Sequence, residues 1–136
     1  FYDAEGMTVY NDSIWIFTKD RSKPFQGVSH VYKVPTTPGK YEVAASHKIN
    51  IGNDGWWKDG VTAADYYDGN FYLLTYNRYI VLQLKNGEFK KKSIQKFEGL
   101  TQRESLVVLN KEAIFVADEH NPIVGNVRLY KVKPSD

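Results

Sequence analysis

The feature that most constrains the fold of this sequence is a short unit that recurs three times. Each copy consists of a strand-like segment, a two-residue polar turn and a more apolar strand-like segment. The copies begin at Gly6, Ala63 and Ser105. Their turns are Asn11-Asp12, Asp68-Gly69 and Asn110-Lys111. Residues of these types tolerate the positive φ angles of hairpin turns, so the repeat predicts an all-β fold built from similar hairpins.

The spacing of the copies indicates the size of the repeated unit. Gly6 and Ala63 are 57 residues apart, and Ala63 and Ser105 are 42 residues apart. A four-stranded β-propeller blade takes about 40–50 residues, so the second spacing matches one blade and the first fits a blade with longer loops. We therefore expect residues 1–136 to form a partial β-propeller of three four-stranded antiparallel blades, at about 3–51, 59–98 and 102–134.

Period-two alternation and turn residues locate the other strands of these blades. The predicted strands are 28–34 and 41–51 in the first blade, 79–84 and 89–97 in the second, and 127–132 in the third. Asn86-Gly87 is the strongest hairpin signal, and no segment supplies a fourth strand for the third blade. Because three blades cannot close a ring, we expect a six-bladed propeller completed by a longer parent chain or by a second copy. The alternative fold is a β-sandwich with internal similarity.

Composition excludes several classes of function. The formal net charge is +2, from 18 basic and 16 acidic residues, which is too small to indicate nucleic-acid binding. The chain has no cysteine, so disulfides, thiol nucleophiles and zinc–thiolate sites are excluded. No apolar run approaches the roughly 18 residues of a membrane helix, so we expect no transmembrane segment in this chain.

Propeller geometry gathers polar residues from separate loops onto one face. Loops that lead into the innermost strands lie on the same face as loops that join the second and third strands. The candidate ligand-binding residues on this face are Glu5, Asp59, Arg103 and Glu104 from the first kind of loop, and Arg21, Arg78, Asp118 and His120 from the second. We expect them to surround the mouth of the central channel.

Glu5, Thr62 and Glu104 occupy equivalent positions in the three copies, one residue before each predicted innermost strand. Two carboxylates at the channel mouth are candidate ligands for a hard cation such as calcium, together with backbone carbonyls. They are also candidates for a general acid and base acting on a sugar or lactone. The favoured alternative is a structural role in which they cap backbone N–H groups or pair with the arginines of this face, namely Arg21, Arg78 or Arg103.

Two further segments carry residues that functional sites often use. Trp56 and Trp57 follow a Gly-rich loop, where they could stack on a sugar or seat a partner, although we favour a role in filling the gap between blades. The run from Asp118 to Asn121 combines two carboxylates with His120. One histidine beside carboxylates is weak evidence for a metal site, so we interpret this run as a solvated loop.

Several segments resemble a family of uncharacterised bacterial envelope β-propellers, specifically their C-terminal, three-blade half. The segments are 3–7, 15–19, 31–35, 61–65 and 102–106, and the resemblance covers essentially all 136 residues. It implies a periplasmic, secreted or lipid-anchored protein. The acidic-then-Gly pattern is more distantly similar to phytase-like and lactonase-like propellers, which hold calcium with channel-mouth carboxylates. Glu5 and Glu104 match that pattern, and Thr62 departs from it.

Two functions follow from these observations. The first is a non-catalytic module of the cell envelope that binds a ligand or an envelope protein across the channel face. The alternative is a calcium-assisted hydrolase of the lactonase-like or phytase-like type, with Glu5 and Glu104 as metal ligands. No residue of this chain is assigned a catalytic role at this stage.

Overall fold

The computed structural model describes residues 2–123 and 125–133. Residues 1, 124 and 134–136 lie outside this part of the chain, and so does the last position of the third predicted blade. The described residues form an all-β structure of three antiparallel sheets that follow one another along the chain, with four, four and three strands. In each sheet, strands that are consecutive in sequence lie side by side.

Within the described residues, the strands form three meanders, and a short helix lies between the first and second of them. The first sheet contains β1 (Tyr2–Tyr10), β2 (Ser13–Asp20), β3 (Val28–Pro35) and β4 (His47–Asn50). Helix α1 (Trp56–Asp59) precedes the second sheet, which contains β5 (Ala63–Tyr67), β6 (Asn70–Leu74), β7 (Arg78–Lys85) and β8 (Glu88–Lys96). The third sheet contains β9 (Arg103–Asn110), β10 (Ala113–Asp118) and β11 (Leu129–Val132).

Most of the predicted hairpin turns are confirmed. Both residues have positive φ in the turns Asn11-Asp12, Asp68-Gly69 and Asn86-Gly87, as a type I′ hairpin requires. The prediction was wrong by one residue in the third copy, where Lys111 and Glu112 form the turn and Asn110 still belongs to β9. The Asn110 side chain accepts a hydrogen bond from the Glu112 backbone N–H at 2.9 Å, which stabilises this shifted turn.

Two predicted strand assignments differ from the structure. The strand predicted at 41–51 is confined to 47–50, because the alternation of 41–46 finds no surface to pack against: Tyr41 and Val43 remain 41% and 42% exposed. The third sheet has three strands within the described residues, whereas the prediction was three sheets of four strands each. Its third strand is also shorter than predicted, beginning at Leu129.

The first strands of the three sheets, β1, β5 and β9, lie next to one another. Gly6 is needed where β1 crosses β5, because an added Cβ there would approach the Cβ of Ala64 to 2.9 Å. Asp65 on β5 joins all three strands: it accepts hydrogen bonds from the Thr8 hydroxyl at 3.5 Å and from the Val108 backbone N–H at 2.7 Å. The site described below lies at one end of these strands.

Two apolar cores hold the sheets together. Trp15, Phe17 and Phe71 are among the buried residues of the core between the first and second sheets. Leu74, Leu106 and Val116 belong to the core between the second and third sheets. Burial of apolar surface at about 25 cal/mol per Å² makes these two contacts the main source of stability.

Candidate functional site

A polar cleft of about 760 Å³ lies where the three sheets converge. We call it the main cleft. Its lining comes from all three sheets and from α1: Glu5, Lys19, Arg21, Trp56, Thr62, Tyr76, Gln102, Glu104, Ser105, Asp118 and Glu119. The cleft therefore exists only because the ends of β1, β2, β9 and β10 and the loop after β6 are brought together by the packing of the sheets.

Three side chains in this cleft form a hydrogen-bonded chain. The Lys19 Nζ donates to the Tyr76 hydroxyl at 3.1 Å, and that hydroxyl donates to Oε1 of Glu104 at 2.7 Å. The Lys19 Nζ also lies 4.7 Å from the centre of the Tyr76 ring, a cation–π contact. Lys19 and Tyr76 are each 3% exposed. The two hydrogen bonds therefore hold the Lys19 ammonium and the Glu104 carboxylate in fixed positions on the cleft wall.

Burial raises the pKa of two of these groups. It raises the pKa of Tyr76 to about 12, so the phenol stays protonated and donates to Glu104 throughout the physiological range. Burial also raises the pKa of Glu104 above its ordinary value, while the hydrogen bond from Tyr76 and the charge of Lys19 act in the opposite direction. The Glu104 carboxylate is placed where it can accept a hydrogen bond from a ligand, and the Tyr76 phenol orients this carboxylate.

Glu5 also lines the main cleft and interacts with Arg21. The Arg21 guanidinium is 2.7 Å from the carboxylate of Asp3 and 3.7 Å from that of Glu5. Glu5 lies within β1, where a bulge separates Ala4 from Gly6, and not before the strand as predicted. Exposed ion pairs of this kind contribute about 0–1 kcal/mol to stability. Arg21 and Glu5 can therefore give up their contact with each other and bind a ligand.

Asp59 and Arg78, both predicted as ligand-binding residues, instead form a buried ion pair outside the main cleft. Their side chains are 1% and 9% exposed. Arg78 also donates to the backbone carbonyls of Ile51 at 3.2 Å and Lys58 at 3.3 Å. The Asp59 carboxylate accepts from the Asp54 backbone N–H. These bonds fix α1 and the loop before it against the second sheet.

Arg103 is buried, is not among the residues that line the main cleft, and does not pair with Glu5 or Glu104 in the described structure. It donates to the backbone carbonyls of Tyr76 and Glu98, and its guanidinium lies 4.5 Å from the Phe97 ring centre. This arrangement satisfies the guanidinium internally and gives Arg103 a structural role.

Asp118 and His120 have different positions. Asp118 is 6% exposed at the edge of the main cleft, where it accepts hydrogen bonds from Thr101 at 2.8 Å and from the Tyr130 hydroxyl. His120 is exposed and is absent from the residues that line the cleft. Its neighbour Glu119, the second carboxylate of the run from Asp118 to Asn121, does line the cleft.

The two adjacent tryptophans form a stacked pair on the surface. Trp56 and Trp57 are 44% and 40% exposed, with ring centres 4.5 Å apart and planes inclined by 20°. Trp57 also lies 5.2 Å from the Tyr76 ring. The expectation that they fill a gap between sheets is wrong, because α1 holds them at the rim of the main cleft, where Trp56 is one of the lining residues.

The residues around Glu5 and Glu104 do not make a complete calcium site. The described residues contain no group of three or more histidine, cysteine, aspartate or glutamate side chains placed to hold a metal ion. Calcium takes six to eight oxygen ligands. The Thr62 hydroxyl donates to the Arg103 carbonyl at 2.6 Å, and Glu104 accepts from Tyr76. A lysine ammonium beside Glu104 further disfavours a cation there.

Sequence reasoning did not single out Lys19, Tyr76 or Gln102 as ligand-binding residues. Lys19 lies near the end of β2, and Tyr76 lies in the loop after β6. The signal that would have found them is a polar residue at or just beyond the end of an apolar strand. Their mutual contact depends on the angle between the first and second sheets, which sequence periodicity does not encode.

The helix of the described region is too short to cross a membrane. No protein-family model matches the chain, and a comparison with curated proteins finds no significant relative. The case for a function therefore depends on the geometry of the main cleft.

Proposed function

We propose that this chain is three blades of a six-bladed β-propeller of the bacterial envelope, and that it is a non-catalytic module that binds a ligand or partner in the main cleft. The observation that carries the binding function is the cleft itself. Its volume of about 760 Å³ falls in the range of about 300–1,000 Å³ that small-molecule sites occupy. Two of its charged groups, Lys19 and Glu104, are held in fixed orientations by the Tyr76 hydroxyl, which is what recognition requires.

The direction in which the sheets pack supports the propeller. On the first strand of each sheet, alternate side chains point to opposite faces. Ala64 contributes to the core with the first sheet, and Ala63 contributes to the core with the third. Leu106 and Val108 point back towards the second sheet. We call the face of a sheet that is turned towards the next sheet in the sequence its forward face, and the opposite face its backward face. The forward face of one sheet packs against the backward face of the next, as in propeller blades.

The outer faces of the two end sheets continue this pattern. The backward face of the first sheet exposes Met7 by 64% and Val9 by 60%. The forward face of the third sheet exposes Val107 by 48% and Leu109 by 59%. One outer surface is a backward face and the other is a forward face, and faces of these two kinds pack together inside the chain. Further blades are therefore the partners that would cover them.

Light scattering tests the propeller part of the proposal on the 136-residue chain. We expect self-association that buries the two outer faces, and its loss when Met7→Glu and Val9→Glu are combined. Tyr41→Glu, a change on an exposed loop, is the matched control and should leave the mass unchanged. A stable monomer of the unmodified chain would contradict the open-blade arrangement.

Turnover and binding measurements test the functional part. We expect no hydrolysis of p-nitrophenyl phosphate or of a γ-lactone, with or without calcium. We expect small polar fragments to shift the Trp56 indole signal in NMR spectra, with Trp56→Ala assigning that signal. Hydrolysis that disappears in Glu5→Gln or Glu104→Gln would overturn the non-catalytic function. A Trp56 signal that no fragment shifts would overturn the binding function.

A further inference from the structure

A second cleft adjoins the main one and shares part of its wall. This side cleft has a volume of about 460 Å³ and is lined by Asp20, Arg21, Ser22, Lys23, Pro24, Phe25 and Trp56. Arg21 and Trp56 line both clefts. The two clefts therefore adjoin at Arg21 and Trp56, and a ligand that passes over Trp56 would contact both. We call the two clefts together the groove.

The walls of this groove are rigid. The buried Asp59–Arg78 pair holds α1, and the Trp57 ring supports the Trp56 ring from behind at 4.5 Å. On the other side, Asp20 accepts backbone hydrogen bonds from Gly27 at 2.7 Å and Gln26 at 2.9 Å, which fixes the loop that forms the side cleft. A flat indole presented on a fixed support loses little conformational entropy when a ligand stacks on it.

The main cleft carries charged groups of both signs, which favours a ligand that can both donate and accept hydrogen bonds. Four carboxylates and two cations line the main cleft. Glu5 is 3.7 Å from Arg21, and Glu104 is joined to Lys19 through the Tyr76 hydroxyl. An anionic ligand would meet the carboxylates, and a cationic ligand would meet the ammonium and guanidinium groups. A neutral ligand with many hydroxyl groups can donate to the carboxylates and accept from the cations at the same time.

We propose, given the binding function above, that the groove binds a neutral linear oligosaccharide with one sugar ring stacked on Trp56. A pyranose ring has an apolar C–H face, which packs on an indole, and a rim of hydroxyl groups, which suits the flanking charged side chains. Further sugar units lie in the main cleft against Glu104 and Lys19, and in the side cleft against Phe25. The ligand class follows from three features together: an aromatic platform shared by the two clefts, charged groups of both signs, and a cleft on each side of Trp56.

The proposal is tested by titrating the chain with cellohexaose, chitohexaose and maltohexaose while tryptophan fluorescence is recorded. We expect at least one hexasaccharide to bind, and its disaccharide to bind about tenfold more weakly because it cannot span both clefts. Trp56→Ala should weaken the hexasaccharide by about tenfold or more. Tyr41→Ala removes an aromatic side chain of similar exposure on a distant loop and should have no effect.

A second variant keeps the test independent of any change at Trp56. Phe25→Ala in the side cleft should weaken the hexasaccharide and leave the disaccharide unaffected, because only the longer ligand reaches Phe25. Equal losses for both ligands would overturn the extended groove.

Two peptide probes separate this inference from the binding function on which it rests. Pentalysine and hexaproline are titrated in the same way. If a peptide binds in a Trp56-dependent manner and the three glycans do not, the ligand class is wrong and the binding function stands. If neither the glycans nor the peptides bind and no fragment shifts the Trp56 signal, both proposals fail.

Discussion

Two arginine–carboxylate pairs at the same end of the molecule have opposite characters. In the Arg78–Asp59 pair, the side chains are 9% and 1% exposed. In the Arg21–Asp3 pair, they are 38% and 32% exposed, at a distance of 2.7 Å. The residue types are the same, and sequence reasoning gave Arg21, Arg78 and Asp59 equal standing as ligand-binding residues. The comparison teaches that burial decides which charged groups hold the fold and which remain available to a ligand.

The environment of each pair explains the difference. A buried charge has lost its hydration, so it must be compensated by several hydrogen bonds. Arg78 has them in the carbonyls of Ile51 and Lys58, and Asp59 has one from the Asp54 backbone N–H. Arg21 remains hydrated and can exchange Asp3 or Glu5 for another partner at small cost. Four predictions test this division, from the largest expected effect to the smallest.

The largest effect is expected for Asp59→Ala. The substitution leaves the Arg78 guanidinium buried without its counter-charge, which costs about 3–5 kcal/mol of unfolding free energy. It also releases α1, so Trp56 and Trp57 should become more mobile and their fluorescence should change. Urea denaturation followed by circular dichroism measures the loss. Asp54→Ala, an exposed neighbour, is the control, and equal stabilities of the two variants would contradict a structural role for the buried pair.

Asp65→Ala sharpens the comparison, because Asp65 is a partly buried carboxylate whose hydrogen-bond partners are neutral. The change leaves the Val108 backbone N–H without its acceptor and breaks the link between β5 and β9. We expect a loss of about 1–3 kcal/mol, less than for the buried ion pair. Hydrogen exchange at the Val108 amide should accelerate. Unchanged protection of that amide would show that the link contributes nothing to sheet packing.

The sequence predicted the fold more completely than the site, and the residues show why. Turn pairs such as Asp68-Gly69 are local signals, because positive φ at both positions demands particular residue types. The repeat also located the first strands, and Glu5, Thr62 and Glu104 do line one cleft. Partners of charged side chains are not local. Arg78 pairs with Asp59 across 19 residues, and Tyr76 with Glu104 across 28. Such contacts depend on how sheets pack.

Glu104→Gln tests the intermediate case, a carboxylate that is partly buried and bonded to Tyr76. Burial raises the pKa of Glu104 in the folded protein, so the folded state binds the proton more tightly than the unfolded state. Its contribution to stability therefore declines as pH rises from its ordinary pKa of 4.5 through the raised folded-state pKa. The stability of Glu104→Gln relative to the unmodified chain should rise over that window and then level off. Thermal unfolding at a series of pH values measures it, and parallel curves would contradict the prediction.

The smallest effect on stability is expected for Arg21→Ala. The exposed pair with Asp3 contributes about 0.2–1 kcal/mol, and salt reduces this further because the Debye length is about 10 Å at 0.1 M. Denaturation is measured at low and at high salt. The variant should be slightly less stable than the unmodified chain at low salt, and the two should have nearly the same stability at high salt. A loss above about 2 kcal/mol would place Arg21 with Arg78 as a structural residue. Arg21 lies where the two clefts meet. A small loss of stability together with weaker oligosaccharide binding would show that Arg21 contributes little to the fold and instead binds the ligand.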